Sequence, residues 1–218
     1  MGNFDSSRVA LVDTVGPSAL IRGPMPLLDG QFAYQGIAKA SGLDLPGYPL
    51  LVVSLIDCTG ERQMLTGELS AFGQPNRWPP SYWPPFLQPG YDPRRHWGTS
   101  VTDETGAPRP GSLAWWPIEG LAQGQDPAML LRWPGYNMSG LVDWLILTLE
   151  GCPKTAVYVH CSLGADRTGA AIAGYLVKRR GMTADAALAE VSRQTSAGSP
   201  NADYVRLVRA YAASAGHG

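Results

Sequence analysis

The residues most able to do chemistry in this chain stand together, as His160-Cys161-Ser162-Leu163-Gly164-Ala165-Asp166-Arg167-Thr168-Gly169. The run Thr155-Ala-Val-Tyr-Val-His160 before them is short, apolar and β-branched, as a buried strand is, and a helix is expected from about Thr168. A strand-to-helix turn aims consecutive backbone N–H groups and the positive end of the helix dipole at one point, which makes an anion site. Cys161 lies at the strand end and Arg167 six positions on, where the turn has come round to the helix start. A thiolate there is surrounded by positive potential. The expectation is a thiol that ionises below its free value of roughly 8.5 and acts as a nucleophile near neutral pH.

Arginine offers a planar fork that matches two oxygens of a tetrahedral oxyanion such as phosphate, which lysine does not. The expected phosphate cradle is the loop Ser162, Leu163, Gly164, Ala165 and Asp166 together with Arg167. Gly164 lets the backbone approach a bound anion. Thr168 can donate its hydroxyl to the Cys161 sulfur, both as attacking thiolate and as leaving group. His160 is expected to orient the loop by hydrogen bonds, since a nucleophile already ionised needs no base.

The elements that must hold this loop are set in a chain of 218 residues and 23.3 kDa, a length that suits one domain with a substantial core. Seventeen basic against eighteen acidic residues leave a formal charge of -1, so no global positive field exists to hold nucleic acid or an anionic membrane. Any anion must be held locally. Three cysteines and three histidines lack disulfide-framework or metal-ligand spacing. No segment has the length of apolar residues that a membrane span needs, and no signal-peptide pattern opens the chain. These features predict a soluble, cytoplasmic protein.

The predicted fold class is α/β, a small mostly parallel central sheet flanked by helices, with Val52–Asp57 and Ala156–His160 as central strands. Ser139 is read as the cap of a helix that Gly151 and Pro153 stop, and a second helix runs from Thr168 to a stop at Gly181. Thr183 and Asn201 cap two more. Residues 1–218 are read as a single domain, with a frayed tail over 212–218. Six of the seven tryptophans and twelve of the nineteen prolines fall between Pro75 and Pro134, a composition that argues against a long helix or central strand. It predicts packed irregular loops that cover the core or rim the site.

The His-Cys-x5-Arg-Thr-Gly pattern of residues 160–169 resembles the signature of the cysteine-dependent protein tyrosine phosphatases, most of all the dual-specificity-like branch with its small bacterial members. Fainter echoes extend the resemblance. Leu20-Ile-Arg22-Gly-Pro-Met-Pro26 is similar to an early arginine-containing strand, Glu61 to the carboxylate of a loop after the central strand, and Trp116-Pro-Ile-Glu119 to the strand end before a mobile acid loop. Residues 63–113 have no counterpart and are expected to be a Trp/Pro-rich insertion.

The resemblance implies hydrolysis of phosphate monoesters in two steps, through a cysteinyl-phosphate on Cys161, with no metal or organic cofactor. It also implies a general acid, and three carboxylates compete for that role. Asp126 lies 35 residues upstream of the cysteine, Glu119 lies beside Trp116-Pro117, and Asp166 directly precedes the signature arginine. Ser162, Leu163 and Ala165 include no lysine, which favours a phosphotyrosine-type substrate on a protein or small ester over inositol phosphates and phosphoinositides. A phosphoinositide or inositol phosphate phosphatase, a sulfur-transfer enzyme and a catalytically weak module that binds phosphorylated partners are the competing readings.

Overall fold

Alternate residues of the two apolar runs enter different cores, which is why both runs read as continuous hydrophobic strands. The computed structural model describes residues 4–57, 60–74, 92, 94–118, 126, 131, 137–152 and 154–216. In chain order these form β1 (Ala10–Val15), β2 (Ser18–Gly23), β3 (Leu27–Leu28), β4 (Gln31–Phe32), α1 (Tyr34–Ser41), β5 (Leu50–Ser54), α2 (Arg62–Ala71), β6 (His96–Trp97), β7 (Ser100–Thr102), β8 (Pro108–Trp115), α3 (Met138–Gly151), β9 (Ala156–His160), α4 (Asp166–Arg180), α5 (Ala184–Gln194) and α6 (Ala202–Ser214).

The main sheet has the order β1-β2-β9-β5-β8-β6, with β7 added on β8. Strands β2, β9, β5 and β8 run parallel, and the remaining pairings are antiparallel. The fold is thus α/β with a mostly parallel mixed sheet flanked by helices. Val157 and Val159 of β9 face a core shared with α3, α4, α5 and α6, while Ala156 and Tyr158 face a second core shared with α1 and α2. Helix α4, which follows the signature loop, is buried continuously from Thr168 to Val177. Small residues there allow close approach: a Cβ on Gly174 would meet Met138 Cε at 2.5 Å.

Several boundaries differ from the sequence expectation. The strand expected over Val52–Asp57 is Leu50–Ser54; the Leu55 N–H still bonds the His160 carbonyl at 2.8 Å, and the chain then turns toward the site. Asn137, not Ser139, caps α3, its side chain accepting from the Gly140 N–H. The tail stays helical through Ser214 with Ala212 fully buried, because the apolar stripe of α6 still packs on α4 there.

The segment 63–113 contains most of α2, the strands β6 and β7 and most of β8, and β8 lies inside the sheet between β5 and β6, where no central strand was expected. Its prolines permit this because Pro108 and Pro110 face only the short β7, while Gly111 to Trp115 pair with β5. A proline lacks the N–H that a second neighbour would require, so the interior half of the strand is the proline-free half.

Candidate active site

Strand β9 and helix α4 present residues 161–167 at the C-terminal edge of the parallel strands, the edge where open α/β sheets bind ligands. A cavity of about 410 Å³ opens there, lined by Asp57, Glu61, Cys161, Ser162, Leu163, Asp166, Arg167, Asn201 and Tyr204. Cys161 is only 2 % exposed and forms part of the lining.

Four successive carbonyls of the loop are held from outside. The Cys161 oxygen accepts from His160 Nδ1 at 3.2 Å, the Ser162 oxygen from the Met25 N–H at 3.0 Å, the Leu163 oxygen from Arg8 Nη1 at 3.2 Å and the Gly164 oxygen from Arg22 Nη2 at 2.8 Å. A trans peptide sets its N–H opposite its C=O, and among the described residues no peptide is cis. Turning these carbonyls outward therefore turns the N–H groups of Ser162, Leu163, Gly164 and Ala165 inward, toward the face on which an anion would sit. The N-terminus of α4 adds its dipole to the same point.

Gly164 is required for a second reason, which the sequence did not reveal. Its φ is +74°, and a Cβ would lie 2.7 Å from the Gly23 carbonyl and 2.9 Å from Pro24 N. The close approach is to the turn after β2, which buttresses the loop.

Arg167 is aimed by Glu61. Its Nη1 donates to Glu61 Oε2 at 2.6 Å and its Nη2 to Oε1 at 2.7 Å, with a further Nη1 bond to the Leu55 carbonyl at 3.1 Å. Burial works to lower the guanidinium's affinity for its proton, but the Glu61 bonds and the negative charge of a Cys161 thiolate outweigh it and raise the pKa above the ordinary arginine value. Among the described residues, Nε–H and the second Nη2 proton take no acceptor. These two donors lie on one edge of the guanidinium, an edge whose spacing matches two oxygens of a tetrahedral oxyanion. Glu61 also accepts from the Asp57 N–H at 3.0 Å, which ties the turn after β5 to the same pair.

Beneath Cys161 lies a polar cluster that sequence reasoning missed. His160 Nε2 is 2.6 Å from Glu68 Oε1, and Ser54 Oγ donates to Glu68 Oε2 at 2.7 Å, all three residues being fully buried. A carbonyl only accepts, so Nδ1 carries the proton donated to the Cys161 oxygen, and Glu68 faces the other ring nitrogen. His160 thus ties the Cys161 carbonyl to Glu68 of α2. A signal existed in the sequence: Glu68 lies on the buried stripe of α2 with Leu65 and Leu69, where an unpaired carboxylate would be costly. Thr168 is fully buried and its hydroxyl has no hydrogen-bond partner among the described residues, so the expected bond to the Cys161 sulfur is not formed here.

The candidate acids separate. Asp166 lines the cavity and its Oδ1 accepts from the Asn201 N–H at 2.7 Å. Asp126 is exposed and is not among the residues lining the cavity, and Glu119 lies outside the described residues. Asp57, the last residue of the expected strand Val52–Asp57, is in the lining.

No family model matches the sequence. Among solved structures, the fold is similar to those of protein tyrosine and dual-specificity phosphatases at low identity. PTPMT1 in complex with PI(5)P is 11% identical, with 95% of this chain and 96% of that one covered and a TM-score of 0.49. The Yvh1 phosphatase domain from Chaetomium thermophilum is 17% identical over 87% of this chain and 88% of that one, with a TM-score of 0.47. The Cydia pomonella PTP-2 phosphatase is 18% identical over 87% and 83%, with a TM-score of 0.43.

Proposed function

We propose that this protein hydrolyses phosphate monoesters through a cysteinyl-phosphate on Cys161, acting on phosphotyrosine-type substrates. The observation that carries the reading is the loop itself: four outward carbonyls, four inward N–H groups and one open guanidinium edge around a cysteine. In the first step the sulfur attacks phosphorus, the bond from phosphorus to the ester oxygen breaks, and the departing oxygen takes a proton from Asp166. In the second, water gives a proton to Asp166 and attacks phosphorus, and the S–P bond breaks to return the thiolate and release phosphate. The loop amides and Arg167 hold the equatorial oxygens in both steps.

Asp166 is the preferred acid because it borders the cavity and its orientation is held by Asn201 through one oxygen. The preference for a single aryl phosphate rests on charge. Asp57, Glu61 and Asp166 border the cavity beside one arginine, and no lysine stands in the loop to take a second phosphate. The signature pattern supports assignment to the dual-specificity-like branch with its small bacterial members.

The test is phosphate release from phosphotyrosine, phosphoserine and phosphoinositide substrates, with Cys161→Ser as control. Turnover of aryl phosphate that disappears in the variant supports the reading. Tight binding of phosphopeptide without release by the wild type would replace it with a phospho-partner binding module, and faster release from phosphoinositides would overturn the substrate class.

A further inference from the structure

Arg22 lies in β2, beside the strand that carries the nucleophile, and is fully buried. Nη1 donates to the Val191 carbonyl of α5 at 2.7 Å and Nη2 to the Gly164 carbonyl at 2.8 Å, while Nε has no partner among the described residues. Leu20, two residues earlier on the same face, packs into an apolar core, so an aliphatic side chain at position 22 would avoid burying a charge.

The other basic side chains that touch the loop each face a carboxylate: Arg167 faces Glu61, His160 faces Glu68 and Arg8 faces Asp5. Arg22 alone among these has none in the described residues. Burial pulls its pKa down to about 10, and the one charge that works against this is the Cys161 thiolate. In the β2–β9 register Arg22 stands opposite Val159, two residues before Cys161, and its Nη2 bonds the carbonyl three residues after Cys161, so the unmatched cation is placed behind the loop that carries the sulfur.

We propose that Arg22 is a buried positioning residue of this site, which holds the signature loop open through the Gly164 carbonyl and supplies a second, unneutralised cation to the Cys161 thiolate. The inference rests on the reading of Cys161 as nucleophile. It assigns the two halves of anion recognition to different arginines: Arg167 grips the substrate from the cavity, and Arg22 acts from the core without touching it. Other ionisable groups surround this position: Asp57 and Glu61 after β5, Asp166 and Arg167 at the start of α4 and Tyr204 of α6 line the cavity with Cys161, and His160, Tyr158 and Glu68 cluster beneath it. Their contributions stay constant when only position 22 is changed.

The experiment uses the full chain with Arg22→Met and Arg22→Lys, each checked for cooperative melting, and reads alkylation of Cys161 by iodoacetamide at fixed near-neutral pH. Removing an opposite charge close to an ionising group shifts its titration by about one unit or more, so Arg22→Met should react roughly tenfold or more slowly. Arg22→Lys should recover most of that rate, because the charge remains. It should still be protected less well by inorganic vanadate, because one ammonium does not bridge two carbonyls. A folded Arg22→Met with the wild-type alkylation rate overturns the proposal.

A second measurement depends on no variant at position 22. In the wild type the Nε–H resonance of Arg22 should move on alkylation of Cys161 and shift over the pH range in which alkylation accelerates, and should be pH-independent in Cys161→Ser. A resonance that responds to neither overturns the proposal equally. Neither readout needs turnover. A wild type that releases no phosphate from any ester sinks the enzyme reading, while these two measurements still decide Arg22.

Discussion

Arg167→Lys keeps a cation at the cavity and removes the planar edge, so it separates charge from geometry. With Nε–H and one Nη2 proton assigned to the substrate, kcat/KM for nitrophenyl phosphate should fall by about 10²–10³, the loss expected for a preorganised transition-state donor. Wild-type turnover in that variant would remove Arg167 from the mechanism. Asp166→Asn tests the acid by leaving group. Phenyl phosphate should lose about 10²–10⁴ in rate and an activated nitrophenyl ester far less, since a good leaving group departs with little help. If the selective loss appears in Asp126→Asn or Glu119→Gln instead, that residue is the acid.

At the scale of elements, the signature loop depends on what is packed behind it. Asp13 of β1 accepts from Tyr175 Oη at 2.7 Å and is paired with Arg180, so an early strand is clamped to the helix that follows the loop. Burial pushes the Asp13 carboxyl up, but the bonds from Arg180 and Tyr175 outweigh it and hold its pKa below the usual carboxylate value. A depressed carboxylate stabilises the fold above its unfolded value of about 3.9 and loses that contribution as pH falls through the lower folded value. The wild-type urea midpoint should therefore drop as the solution is acidified below about pH 4, and Asp13→Asn should show a smaller drop over the same range. A second clamp is Asn201, whose side chain accepts from the Asp203 and Tyr204 N–H groups while its own N–H braces Asp166. Asn201→Ala should cost about 0.5–2 kcal/mol by loss of the cap, measured by chemical denaturation. The backbone brace to Asp166 is available to alanine as well, so kcat should suffer less than stability.

For the whole molecule, an oxyanion that binds only the folded chain must stabilise it. At a concentration one hundred times Kd the gain is about 2.7 kcal/mol, roughly 5–10 °C for a chain of this size. Vanadate or phosphate should raise the melting temperature by that order in the wild type and by little in Arg167→Ala. An equal rise in both would mean that the anion binds elsewhere. Among the described residues no helix is long and apolar enough to cross a membrane.

What could be read from the sequence is what depends on neighbours along the chain. The strand Ala156–His160, the loop that follows it, the Gly181 stop of α4 and the Thr183 and Asn201 caps are all local in origin. Backbone donors, a helix dipole and capping side chains act within a few residues, so order in sequence is enough to reveal them. Tertiary structure decided which distant groups meet there. The sequence marked Glu61 only by resemblance and left Glu68 unmarked, yet one sets the edge that Arg167 presents and the other the ring that holds the Cys161 carbonyl. Arg22 reaches Gly164 across 142 positions. Strand β8 showed the reverse failure, because proline density counted against a strand whose prolines lie only where the inner neighbour is missing. The physical reason is common to all of these. A buried charge or a lost N–H is unfavourable by itself, and only the partner or empty space that folding brings beside it makes it tolerable.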